Sequence, residues 1–157
     1  SNVRDLVGGI IGPLGAWLVL RGLRTLPVWL KQHVESAAKI ADFLNAHNGV
    51  QHVYFPGLES HPPRELAVKQ MGASTGLMSF VLKQDAEAAK AFVNRLKMFR
   101  IGVSWGGFES LAVMPYYNMS DEQLEFMGAP KGLIRICIGL DESDALIADL
   151  IQALEAN

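Results

Sequence analysis

An apolar stripe of helical period between residues 30 and 44 constrains the fold most. Its members recur at intervals of three and four residues and therefore share one face of a helix: Leu30, Val34, Ala37, Ala41 and Leu44. Such a helix must bury its apolar face against a second layer of structure. A separate apolar helix is expected from Leu14 to about Leu23. Pro27 then marks a break or the first turn of the second helix, and Thr25 is a candidate cap.

The rest of the chain interleaves strand and helix patterns. "HNG" at residues 47–49 is expected to stop the long helix, with Gly49 in the left-handed conformation. Strands are predicted over residues 50–55, 76–83, 100–105, 109–114 and 133–140, and helices over 61–70, 85–99 and 141–156. The late strands follow one another closely. We therefore predict a single α/β domain over residues 1–157, a two-layer sandwich in which helices cover a mostly antiparallel sheet.

Composition narrows the possible functions. Half of the 157 residues are apolar, 19% are charged and the net charge is −2, which favours a soluble globular protein that binds neither nucleic acid nor a membrane surface. Arg21 and Arg24 interrupt the most apolar segment, so no membrane span is predicted. The four histidines lack the spacing of metal ligands, and no metal is expected. The lone Cys137 excludes an internal disulfide and fits the reducing cytoplasm.

Two places in the sequence carry residues suited to binding a small anion. "VSWGGFESL" (103–111) ends a predicted strand on Ser104 and Trp105 and continues with two glycines, which let a backbone approach a ligand closely. Arg135 interrupts an otherwise apolar strand, and its planar guanidinium matches a carboxylate. Plainer interpretations remain open. Arg135 could pair with Glu109 or face water at an edge, Ser104 could bond the turn backbone, and Trp105 could belong to the core.

The chain as a whole resembles the C-terminal domain of the Cys/Met-metabolism enzymes that use pyridoxal phosphate (PLP). This family includes cystathionine β-lyase, cystathionine γ-lyase, cystathionine γ-synthase and methionine γ-lyase. Four blocks in the same order carry the resemblance: residues 8–33, 53–71, 103–111 and 132–154. The resemblance implies the C-terminal small domain of a fold-type I PLP enzyme. It also implies that Ser104 and Arg135 hold the α-carboxylate of an amino-acid substrate.

Two neighbours of Ser104 bear on the subfamily. The resemblance assigns Val103 and Trp105 to the substrate site as well. Tryptophan after the serine is typical of bacterial cystathionine β-lyases, whereas leucine is common in the γ-acting enzymes. Several γ-acting members have glutamate before the serine, where this chain has Val103. Both positions favour β-elimination. Gly15, in place of a usual aspartate, and "MPYYNM" at 114–119 depart from the family pattern.

The resemblance further implies that the cofactor-binding part is missing from these residues. The Schiff-base lysine and the PLP-binding residues would lie in a large domain N-terminal to Ser1, so this chain alone is expected to be inactive and to bind no PLP. The parent is expected to be a tetramer built as a dimer of dimers. The isolated chain is expected to expose the apolar surface that its PLP domain would cover. The alternative of a different class is a non-catalytic domain that binds carboxylates or mediates subunit contacts.

Overall fold

A computed structural model describes residue 8, residues 10–62 and residues 64–155. Five helices are present in these ranges: α1 (Pro13–Ala46), α2 (Arg64–Gln70), α3 (Ala86–Arg95), α4 (Asp121–Met127) and α5 (Ser143–Glu155). The strands of the same ranges are β1 (Val50–Tyr54), β2 (Leu77–Leu82), β3 (Arg100–Ile101), β4 (Leu111–Val113) and β5 (Ile134–Cys137). Contacts divide the chain into two units, one up to Lys31 and one from Gln32 onward. The opening Ser1 and Asn2 and the final residue of the last predicted helix, Ala156, lie outside the described residues.

The first unit consists mainly of the N-terminal half of α1, and it exposes most of its apolar side chains. Trp17 is 57% exposed, and the neighbouring large apolar residues of this segment are also exposed: Leu14, Leu18, Val19, Leu20, Leu23, Leu26, Val28 and Leu30. The isolated chain therefore exposes a large apolar surface, as expected. Leu30 belongs to the predicted core stripe, and its exposure shows that the buried part of the stripe begins later. Within the described ranges, no helix combines the length and the apolar character needed to cross a membrane.

The prediction of two helices separated at Pro27 is wrong, because α1 runs without interruption through this residue. Proline lacks the N–H that would bond the carbonyl of Leu23, but this costs a single helical hydrogen bond. The remaining turns of a 34-residue helix continue on both sides. Thr25 is not a cap either, since its hydroxyl donates to the carbonyl of Gly22 inside the helix (3.2 Å).

The end of α1 also differs from its prediction. The helix ends at Ala46, but Gly49 is not among the glycines with positive φ, so it does not form a left-handed cap. Instead, His47 organises the turn. Its Nδ1 accepts the Gly49 N–H (3.0 Å), and its carbonyl oxygen accepts the Val50 N–H (3.1 Å). The side chain and carbonyl of His47 therefore hold this turn, and no left-handed glycine cap is needed.

The second unit is an α/β sandwich, which confirms the predicted fold class. Its five-stranded sheet has the order β1-β2-β5-β4-β3, and β5 is the central strand. All pairs are antiparallel except β3 and β4, which are parallel. One face of the sheet packs into the core with residues of α1, α3 and α5. Its buried members include Ile40, Phe80, Phe92, Ile134, Ile136 and Leu150.

The opposite face of the central strands carries the residues of functional interest. Side chains alternate along a strand, so Ile134 and Ile136 face the core whereas Arg135 and Cys137 face the other way. In the register of the sheet, Arg135 lies opposite Ser79 on β2 and Val113 on β4. Arg135 is half-buried there, in the middle of the sheet. The interpretation that Arg135 lies at a sheet edge is wrong, because β5 is the central strand, although its bond to Val103 is exposed.

Asp149 joins α5 to the segment that leads into β3. This residue is only 5% exposed, and its carboxylate accepts the backbone N–H groups of Lys97 (2.9 Å) and Met98 (2.8 Å). A longer bond from the Phe99 N–H (3.4 Å) completes the set. The predicted helix over residues 85–99 ends at Arg95, and the next residues turn around this carboxylate. The start of β3 is therefore set by a side chain about 50 residues further along the chain.

Candidate functional site

Residues 102–110 form a loop between β3 and β4, here called the Trp105 loop. The two strands are parallel neighbours, so a tight hairpin cannot join them and the chain must return to the other end of the pair. It does so along the face of β5 that carries Arg135. The predicted strand over residues 100–105 accordingly stops at Ile101. The interruption at "VSWGGFESL" marks a crossover loop rather than a simple turn.

A series of contacts attaches the Trp105 loop to β5 and the residues that follow it. Nη2 of Arg135 donates to the carbonyl oxygen of Val103 (2.6 Å). The Gly106 N–H donates to Sγ of Cys137 (3.3 Å), and the Leu140 N–H donates to the carbonyl oxygen of Phe108 (2.9 Å). The loop therefore follows the strand from its middle to beyond its end.

Two glycines permit this close path. Gly106 has φ +75°, a left-handed conformation that side chains other than glycine rarely adopt. At Gly139 an added Cβ would overlap the carbonyl oxygen of Phe108 and lie 2.7 Å from the carbonyl carbon of that residue. These are backbone atoms, which cannot move away as a flexible side chain could. Glycine is thus required at position 139, because the backbone of the Trp105 loop passes too close for any side chain.

Among the described residues, Arg135 has no anionic partner. Its guanidinium makes one hydrogen bond, to Val103, and no ion pair with any described carboxylate, so the predicted alternative of a pair with Glu109 is wrong. The guanidinium lies over the ring of Trp105, with Cζ 5.5 Å from the ring centroid. This cation–π contact and the Val103 bond restrict the orientation of the side chain. Arginine has five N–H donors, so most of them remain available for a ligand.

Ser104 and Trp105 lie on the exposed side of the loop. Ser104 is exposed, and its hydroxyl forms no hydrogen bond with the described residues, so the interpretation that it bonds the turn backbone is wrong. Trp105 is 63% exposed and is therefore not a core residue. Val103 is 73% exposed beside it. The structure thus brings together the four predicted site residues, Val103, Ser104, Trp105 and Arg135, around one open surface.

The geometry of this surface suits one end of a small carboxylate ligand. A carboxylate can accept two parallel bonds from a guanidinium, and an adjacent hydroxyl can donate a third. Among the lysines, Lys39 bonds Ser143, Lys90 bonds Tyr117 and Lys131 bonds Asp121, all outside the Trp105 loop. The described part of the chain also holds no group of three or more metal-ligating side chains.

A cavity elsewhere in the second unit was not anticipated from the sequence. It has a volume of about 470 Å³ and lies between α1, α2 and residues 71–74, and its lining includes Phe55, Arg64 and Met71. Neither Arg135 nor the Trp105 loop contributes to it. The surface around Arg135 is therefore separate from this cavity.

His33 contacts the Trp105 loop from α1. The side chain is buried, and it is hydrogen-bonded to the backbone of Gly107. Burial lowers the pKa of this histidine below its ordinary value of 6.5, whereas the bond to Gly107 acts in the opposite direction and is the weaker cause. This residue was not predicted, because the polar face of the predicted helix gives no sign that position 33 is covered.

The lowered pKa of His33 predicts a pH dependence of stability. The unfolded chain takes up a proton at a higher pH than the folded chain, so the stability that neutral His33 contributes is complete above pH 6.5 and is lost as the pH falls through the lowered pKa. We expect the urea concentration at the midpoint of unfolding to decrease as the pH is lowered from about 7 to about 5. The variant His33→Gln should show a flatter profile in this range. A profile as steep as that of the original chain would exclude His33 as the cause.

Comparison with known proteins identifies the family. Residues 1–155 match the model of the family described as Cys/Met metabolism PLP-dependent enzyme. The chain belongs to this family, which is PLP-dependent, as the resemblance predicted. The sequence blocks around Ser104 and Arg135 therefore lie within the part of the chain that matches this family.

Relatives named for different activities have nearly the same sequence identity to this chain. The chain is 41% identical over 157 residues to a cystathionine beta-lyase of Lactococcus lactis subsp. cremoris, covering 98% of this chain and 41% of the relative. It is 40% identical over 158 residues to an L-methionine gamma-lyase of Fusobacterium nucleatum subsp. nucleatum, covering 98% of this chain and 40% of the relative. A chloroplastic cystathionine gamma-synthase 1 of Arabidopsis thaliana is 38% identical over 159 residues, which are 99% of this chain and 28% of the relative. The chain thus spans about two fifths or less of these proteins.

Proposed function

We propose that this chain is the C-terminal part of a longer PLP-dependent carbon–sulfur lyase and that it supplies the site for the substrate's α-carboxylate. The observation that carries the proposal is Arg135. The residue lies half-buried in the centre of the sheet, and its guanidinium is held by Val103 and Trp105 and has no anionic partner among the described residues. An oriented guanidinium with unused N–H donors can take up a counter-charge through two parallel hydrogen bonds. The carboxylate of an amino acid would provide it.

The residues around Arg135 would orient the substrate as well as bind it. Two parallel bonds from a guanidinium fix the plane of a carboxylate, and a third bond from Ser104 would fix its rotation. The α-carbon would then be held in one orientation toward the rest of the active site, which favours reaction by positioning. Trp105 would limit the space for the substrate side chain. When bound in the parent, PLP would supply the electron sink for the negative charge that develops at the α-carbon.

Within the family we propose cystathionine β-lyase activity, which converts cystathionine to homocysteine, pyruvate and ammonia. Trp105 and Val103 support this assignment, because both differ from the residues common in γ-acting members. The alternatives are cystathionine γ-lyase, cystathionine γ-synthase and methionine γ-lyase. Relatives named for three of these four activities are similar to the chain to nearly the same degree.

Product analysis of the parent enzyme tests this assignment. With cystathionine as substrate and PLP supplied, we expect homocysteine and pyruvate, as β-elimination requires. Cysteine and 2-oxobutyrate would instead identify γ-elimination and refute the β-lyase assignment, while the carboxylate site would stand. No turnover of any sulfur amino acid would favour the alternative of a non-catalytic carboxylate-binding or subunit-interaction domain.

Further properties of the parent are proposed as well. The exposed apolar face of residues 14–30 is proposed to be covered by the PLP-binding domain, and this chain alone is proposed to be inactive. The parent is proposed to assemble as a tetramer, a dimer of dimers, from which the isolated chain is expected to differ. Cytoplasmic location is proposed because Cys137 is a free, buried thiol.

A further inference from the structure

Ser110 occupies an unusual position at the end of the Trp105 loop. It is only 1% exposed, yet its hydroxyl is fully used. Oγ donates to Oδ2 of Asp141 (2.6 Å) and accepts the N–H of Gly139 (3.0 Å). Both partners lie shortly after β5, the strand that carries Arg135. One buried side chain therefore joins the end of the loop to the end of the strand.

The Asp141 carboxylate strengthens this connection. A hydrogen bond to an ionised acceptor is shorter and stronger than a bond between neutral groups, and the 2.6 Å distance fits that class. Ser110 is the one hydrogen-bond partner that Asp141 has among the described residues. The side chain of Asp141 is half-buried. Its contact with Ser110 thus holds the loop rather than satisfying a group of the helix that follows.

The other end of the Trp105 loop is held by the site residue itself. Arg135 bonds Val103 at the start of the loop, and Ser110 with Asp141 holds its end. Between these two attachments lie Ser104 and Trp105, whose side chains face outward. If the end of the loop were released, its position over β5 would depend on the weaker attachments that remain, the bond from Arg135 to Val103 and the backbone bonds of Gly106 and Phe108.

We propose that Ser110 and Asp141 are positioning residues for the substrate carboxylate, because they hold the Trp105 loop where Ser104 and Arg135 can bind the same carboxylate. This inference rests on the proposed function. Neither residue contacts the substrate. Their action is through the loop, and it lowers the cost of ordering the site when the ligand binds.

The test uses the parent enzyme with PLP and a set of variants. Ser110→Ala and Asp141→Ala remove the connection, while Asp141→Asn keeps an acceptor oxygen. Ser120→Ala is the matched control, because Ser120 also accepts a backbone N–H, that of Gln123, but does so at the start of α4. Affinity is measured as inhibition by L-norleucine, an amino acid without a sulfur leaving group, and by n-pentylamine, which is norleucine without its carboxylate.

We expect Ser110→Ala and Asp141→Ala to weaken norleucine binding about tenfold, the effect of losing one charge-assisted hydrogen bond, and to leave pentylamine binding unchanged. KM for the substrate should rise similarly, with little change in kcat. Asp141→Asn should restore most of the affinity. The double variant Ser110→Ala with Asp141→Ala should be no weaker than either single variant, because both remove the same connection.

A purely structural role would give another result, in which the variants lower the amount of active enzyme while norleucine affinity stays normal. That result would overturn the inference. Asp141→Ala keeps the test valid if Ser110→Ala does not fold, since Asp141 is partly exposed.

Arg135→Ala in the same assay separates the two proposals. If Arg135→Ala weakens norleucine binding and the Ser110 and Asp141 variants do not, only the positioning inference fails. If Arg135→Ala also leaves it unchanged, the proposed function fails.

Discussion

Replacing Arg135 by alanine in the parent enzyme is expected to lower kcat/KM about 100-fold or more, mainly through a higher KM. Truncating one partner of a buried, hydrogen-bonded charge pair costs roughly 2–5 kcal/mol, and each 1.4 kcal/mol corresponds to a factor of about ten. The effect should appear in KM because the proposed contact with the carboxylate is present in the bound substrate as well as in the transition state. Steady-state kinetics with the substrate measure it directly.

The matched control for this prediction is Arg64→Ala. Arg64 is also half-buried and also donates one hydrogen bond to a backbone carbonyl, that of Pro56 (2.9 Å), but it belongs to α2. Its replacement should leave KM within about twofold of the original value, as expected for a residue outside the site. Arg135→Lys should be intermediate, since lysine keeps the charge but not the planar pair of donors. Equal KM values for Arg135→Ala and the unaltered enzyme would contradict the assigned role.

Replacing Asp149 by alanine is expected to cause the largest loss of stability, about 3–5 kcal/mol in the free energy of unfolding. The buried carboxylate accepts backbone N–H groups from Lys97, Met98 and Phe99, and alanine would leave these donors without their partner. The same change would release the segment that enters β3 and hence the start of the Trp105 loop. Urea unfolding followed by circular dichroism measures the loss.

Two further variants separate the hydrogen bonds of Asp149 from its volume and from general effects on α5. Asp149→Asn keeps one acceptor oxygen and nearly the same shape, so it should lose roughly half as much stability as Asp149→Ala. Asp144→Ala alters an exposed residue in the first turn of the same helix and should cost less than about 1 kcal/mol. If Asp144→Ala and Asp149→Ala were equally destabilising, the turn around residues 97–99 would not depend on the carboxylate.

Much of the fold follows from local patterns in the sequence. The alternation in "LIRICIGL" and the apolar stripe ending at Leu44 predict a strand and a helix that the structure contains. The helix α4 was missed although the signal was present. Ser120 and Gln123 form a reciprocal capping box, and Gly128 adopts the left-handed C-cap at φ +62°.

Other features depend on contacts that no local pattern reveals. The sequence predicted that Ser104, Trp105 and Arg135 could act together, but it did not predict that Arg135 holds the backbone of Val103. That bond joins residues 32 positions apart and exists because a crossover between two parallel strands passes over β5. Pro27 was misinterpreted for a related reason. Proline usually interrupts a helix, but the many other hydrogen bonds of α1 continue the helix on both sides of this residue.

The measurement that tests the central claim most directly compares two inhibitors in the parent enzyme and in Arg135→Ala. L-Norleucine carries an α-carboxylate, and n-pentylamine has the same chain and amine without it. If Arg135 binds the carboxylate, the variant should bind norleucine about 100-fold more weakly and bind pentylamine as well as before. If the variant lost affinity for both compounds equally, or for neither, the assignment of Arg135 to the substrate carboxylate would be wrong.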